Sequence, residues 1–110
     1  MSLKVVIENN IYSIDIPEAV MQEGESFFEK LESDMAQGWQ MNRDWVEKPT
    51  PLQRGQIVAA RIADAIHAEN ETLTYLLAGF IVSRMPNVTE VHIDTDGDMS
   101  ETQFITLNQP

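Results

Sequence analysis

Between Leu3 and Ile16, apolar and polar residues largely alternate, and Asn9-Asn10 interrupts the pattern. A period of two places Leu3, Val5 and Ile7 on one side of an extended chain. Asn tolerates the left-handed backbone of tight turns, so Asn9-Asn10 predicts a two-residue turn. With that turn Leu3 faces Ile16, Val5 faces Ile14 and Ile7 faces Tyr12, while Lys4 pairs with Asp15 and Val6 with Ser13 behind them. A slip of one residue would turn the apolar set outward, so a hairpin over 3–16 is predicted.

After Pro17 the spacing changes to a helical one. Pro17 suits the first turn of a helix over 17–37. Gly24 divides it, and Ser26 with Glu29 forms a capping-box pattern that restarts it. Phe27, Phe28, Leu31 and Met35 then share a stripe, with Glu25, Glu29, Glu32 and Asp34 around it. Gly38 predicts a left-handed cap, with Trp39 folding back as its hydrophobic contact. Residues 39–49 read as a connector. Thr50-Pro51-Leu52-Gln53 is the clearest helix start in the chain, and it opens a second helix over 51–68. Its stripe of Leu52, Gly55, Ala59, Ile62 and Ile66 contains small residues that permit close helix approach. Asn70 caps a third helix over 71–85, apolar on most sides through Leu73, Leu76, Leu77, Phe80, Ile81 and Val82 and so predicted to be central.

Two last strands, 88–95 and 102–107, form a predicted hairpin over 88–107 across Asp96-Gly97-Asp98. Thr89, Val91 and Ile93 should face the core, with Glu90, His92 and Asp94 outward. Phe104 and Ile105 compete for the inner side of the last strand, and Asn108, Gln109 and Pro110 should fray. The expected order is ββαααββ, an α+β fold. It would combine a mostly antiparallel four-stranded sheet of two hairpins with three helices on one face, as one domain over 1–110.

Composition narrows the function classes. The chain has 110 residues, 18 acids against 7 bases, and no cysteine. Disulfides, thiolate metal sites and a Cys nucleophile are thereby excluded. Residues 1–37 and 85–110 carry the acidic excess, whereas 38–84 are balanced, and no Lys or Arg follows Arg84. Neither end can offer the basic face that nucleic-acid binding uses. No apolar run approaches the ~20 residues of a membrane span. The start, MSLKVVIENN, lacks the apolar core and cleavage site of a secretory signal, so a cytoplasmic location is expected.

The sharpest chemical candidate is the acidic stretch 89–101. Glu90, His92 and Asp94 alternate along a strand and share its outer face, and Asp96 and Asp98 follow on the turn. Imidazole and carboxylate are ligands for a divalent cation, the one cofactor candidate. Strand neighbours on one face stand roughly 6–7 Å apart, however, so three cannot close on one ion unaided. Asp94-Thr95-Asp96-Gly97-Asp98 resembles the start of an EF-hand calcium loop, but Met99 stands where that loop needs Gly and Ile105 where it needs a bidentate Glu. Asp64 with His67, and Glu29 with Glu32, have the three-residue spacing of helical metal ligands without the full set. With His67 and His92 as the only histidines, no Ser–His–Asp arrangement can be argued.

A second candidate is the connector. Trp39, Met41, Arg43, Trp45 and Lys48 are residue types enriched at interface centres, in the electrically balanced part of the chain. The expectation is a non-catalytic cytoplasmic domain that associates with a protein partner or as a homodimer. The alternative is a divalent-metal domain using Glu90, His92, Asp94, Asp96 and Asp98.

Overall fold

The computed structural model describes residues 1–106. The elements run β1 (Ser2–Ile7), β2 (Asn10–Asp15), α1 (Glu18–Glu23), α2 (Glu25–Ala36), β3 (Trp39–Met41), β4 (Asp44–Val46), α3 (Pro51–His67), α4 (Glu71–Arg84), β5 (Val88–Ile93) and β6 (Gln103–Thr106), with a short 3-10 turn, Met99–Glu101, before β6. The class is α+β, as the periodicities indicate. Leu107 and the expected frayed end at Asn108, Gln109 and Pro110 lie outside the described residues.

Within the first hairpin the pairing is offset by two residues from the expected one. Leu3 faces Ile14, Val5 faces Tyr12 and Ile7 faces Asn10. The turn is therefore Glu8-Asn9, with Glu8 at φ 57°. An even offset leaves every side chain on its own face, so hydrophobic alternation cannot distinguish the two registers. Leu3, Val5, Ile7 and Ile14 are buried in either case.

The sheet order is β2-β1-β5-β6, and β1 pairs with β5 in parallel. The two outer pairings are antiparallel, so the sheet is mixed rather than a pair of abutting hairpins. This order puts the strongly apolar β1 in the middle beside β5 and leaves β2 and β6 as edges. A register shift between Val88 and Glu90 alters the expected inward set: Val88, Val91 and Ile93 are buried, while Thr89 is exposed. A bulge of this kind breaks the period of two locally. On the far side of the sheet, Lys4, Ser13, Asp15, His92 and Gln103 are exposed.

Four helices replace the expected three, because Gly24 separates α1 from α2 outright. Ser26 does not restart the helix; Gly24 is the N-cap residue, and no side chain caps there. A Cβ at Gly24 would lie 2.4 Å from the Val20 carbonyl oxygen and 3.0 Å from the Phe28 ring, so close packing requires the glycine. Gly38 ends α2 at φ 105°. The predicted N-caps of α3 and α4 form: Gln53 N–H donates to Thr50 Oγ1 and Thr50 N–H to Gln53 Oε1, and Leu73 N–H donates to Asn70 Oδ1. α3 closes in a Schellman arrangement, with Asn70 N–H on the Ala65 carbonyl and Glu69 N–H on that of Ile66, and with Glu69 at φ 57°.

α4 is central as expected, burying Leu77, Ala78, Gly79, Phe80, Ile81 and Val82. α3 buries Gly55, Ala59 and Ile62 of the predicted stripe, but Leu52 is exposed. The largest departure is the connector. It folds as a second, two-stranded sheet, β3 paired with β4.

Candidate functional site

Glu90 and His92 project from the outer face of β5, as alternation predicts. The parallel register sets Glu90 beside Lys4, and their charged groups lie 3.6 Å apart. The other Glu90 oxygen bonds the Nε2 of His92. These neighbours, His92 foremost and then Lys4, hold the Glu90 carboxyl below the usual glutamate range.

The remaining acids face a different task. Asp94 Oδ2 accepts the backbone N–H groups of both Asp96 and Asp98, each at 3.0 Å. Its own N–H donates to Oγ1 of the buried Thr102. Asp98 Oδ1 accepts the N–H and hydroxyl of Ser100 and, at 2.7 Å, the Nδ2–H of Asn42. Those donors, the Ser100 hydroxyl first, hold the Asp98 carboxyl below the usual aspartate range. Asp96 is exposed, and among the described residues its carboxylate accepts no hydrogen bond from another side chain or backbone group. A cleft of about 270 Å³ is lined by His92, Asp94 and Asp96 together with Glu8 and Glu101. Among the described residues, no three His, Asp or Glu side chains gather closely enough to hold a metal ion. Glu90 and His92 thus form one group on the sheet, and Asp94 and Asp98 are engaged in shaping their own loop.

The interface candidates sit on the β3–β4 hairpin. Asn42 starts its turn at φ 56°, followed by Arg43. Met41 is buried, and Trp39 is half-buried against the core. Trp45 is 59% exposed. One edge of its indole lies over Gly38, where a Cβ would come within 2.4 Å of the ring. Arg43 and Lys48 are exposed. Trp45 thus lies against Gly38 at the end of α2, and Trp39 packs on the core.

The tertiary structure joins the two candidate sites. Asn42 donates to Asp98 Oδ1 through Nδ2 and accepts the Met99 N–H at 2.9 Å through Oδ1. From beneath, the buried Gln56 of α3 donates to the carbonyls of Ser100 and Thr102 at 3.1 and 3.3 Å. Hairpin and acidic loop form one ridge around a hollow of about 570 Å³ lined by Asn42, Arg43, Asp44, Gly97, Asp98 and Ser100. Asn42 and Gln56 were not among the residues singled out from sequence. The hairpin did leave a signal, since Trp39 and Met41 alternate before Asn42-Arg43, a turn-forming pair. Gln56 left none, because a lone Gln within a helix reads as a surface residue.

No sequence motif marks Arg84. Its guanidinium bonds Glu25 and Glu32 on α2 and stacks on Phe28 and Phe80, with centroid distances of 5.5 and 5.8 Å. The Glu25 carboxyl is lowered by this contact and the guanidinium is held still more firmly in its charged form.

Comparison with protein-family models, with curated proteins and with solved structures gives no match. No described helix is long and apolar enough to cross a membrane.

Proposed function

We propose that this chain is a small acidic, cytoplasmic, non-catalytic domain that binds protein, a second copy or a different chain, through the ridge built by the β3–β4 hairpin and the acidic loop. The observation that carries this reading is Trp45, a large indole 59% exposed on a short hairpin that Asn42 ties to the loop. An aromatic anchor held in place before binding loses little conformational freedom when it is buried by a partner. Arg43 beside Asp44 and Asp98 gives the rim both charge signs, which orients a partner and rejects mismatched ones.

Trp45→Ala is the discriminating variant, since Trp39 packs on the core and its loss would disturb the fold as well. Sedimentation velocity and capture from lysate should show association weakened about tenfold or more, the size of a hot-spot loss. Circular dichroism should remain that of the parent. A wild-type chain that sediments as a monomer and captures no protein would sink the proposal.

The second reading is divalent-metal binding by Glu90, His92, Asp94, Asp96 and Asp98. The acid-lined cleft beside His92 and Asp96 favours it, but the bonds already made by Glu90, Asp94 and Asp98 weigh against it. Titration with Ca²⁺, Mg²⁺, Mn²⁺ or Zn²⁺ should move the His92 and Asp96 NMR signals if this reading holds. Unmoved signals remove it.

A further inference from the structure

Between α2, the first turn of α3 and the end of α4 lies a cavity of about 370 Å³, lined by Glu32, Pro51, Arg54, Phe80, Ser83, Arg84 and Met85. Its two arginines are in opposite conditions. Arg84 has five N–H donors and makes five bonds: Nε and Nη2 to Glu32 Oε1, Nη2 to Glu25 Oε1, and Nη1 to Glu25 Oε2 and Ser83 Oγ. It is saturated and serves as a wall.

Arg54 makes no ion pair or side-chain hydrogen bond among the described residues. Its Nε is the one buried side-chain nitrogen or oxygen there that lacks a partner. In a chain with 18 acids and 7 bases, two carboxylates converge on Arg84, while among the described residues none pairs with Arg54. At the start of α3, Pro51 has no N–H and the capping box occupies those of Thr50 and Gln53. Among the described residues, the pocket is therefore lined by a guanidinium with no carboxylate partner, beside apolar walls from Pro51, Phe80 and Met85.

We propose that this cavity binds a small organic anion, a carboxylate or phosphate monoester on an aromatic or short aliphatic body, through the guanidinium of Arg54. A planar fork matches either acid group with two parallel hydrogen bonds. The volume lies within the range of small-molecule sites. Gly55 keeps the floor tight, since a Cβ there would stand 2.7 Å from Met85 Sδ. The site is separate from the Trp45 ridge, and its test is independent of association.

Titration of the full chain with benzoate, phenyl phosphate and inorganic phosphate, followed by NMR at the Arg54 Nε–H and the Met85 methyl, tests the proposal. Benzoate or phenyl phosphate should produce saturable shifts at both positions. Benzyl alcohol, a neutral analogue of similar shape, should bind about tenfold more weakly or worse, the loss of a charge-assisted bond. Arg54→Gln should weaken the anions by a similar factor with the unfolding temperature unchanged, and Arg54→Lys should fall between. Equal binding of benzoate and benzyl alcohol would overturn the proposal without reference to any variant. So would shifts that rise linearly without saturating, or an Arg54 Nε–H that no anion moves.

Discussion

Asp98 shows how an acidic turn satisfies its own backbone. Its oxygen collects donors from Ser100 and Asn42, and Asp94 collects two backbone N–H groups. Short acidic side chains in turns commonly cap their own backbone in this manner. The depressed Asp98 carboxyl has a consequence for pH. An acid whose folded value lies below its unfolded one, about 3.9 for Asp, stabilises the fold fully above that value. The contribution fades as pH falls through the lower folded value. NMR signals of the Asn42 side-chain amide and the Met99 N–H should therefore titrate with a midpoint below about 3.9. Asp98→Asn, which keeps an acceptor oxygen, should abolish that titration while preserving the loop. A midpoint at or above the ordinary aspartate value would contradict the lock.

At the level of elements, the β3–β4 hairpin depends on how α2 ends. Gly38 supplies both a φ of 105° and the bare surface that receives Trp45. Gly38→Ala would have to relieve backbone strain and displace an indole, together costing about 1–3 kcal/mol. Thermal unfolding should shift downward by several degrees, roughly 4–8 °C per kcal/mol for a chain of this size. The Trp45 ring signals should move with it. An unchanged or higher melting temperature would show that the contact contributes nothing.

The same scale shows what was legible. Thr50 and Asn70 as caps, Gly38 as a terminator and the apolar run of α4 were read correctly, because each depends on neighbours within a turn or two. The hairpin over 39–46 was missed: its strands have only three residues each, too few for alternation to stand out from a loop. The first hairpin was recognised with its turn misplaced, since a two-residue offset conserves the buried face.

For the whole molecule, composition and periodicity by themselves determined the α+β class, the buried sides of β1 and α4, the outward direction of Glu90 and His92, and the acidic character of both ends. Tertiary structure alone decided the parallel pairing of β1 with β5, which places Lys4 beside Glu90. It also decided the meeting of Asn42 with Asp98, 56 residues apart, and of Arg84 with Glu25, 59 apart. The physical reason is range. Side-chain period and capping are settled within a turn or a strand, whereas the partner of an exposed polar group depends on which packed faces bring distant segments together.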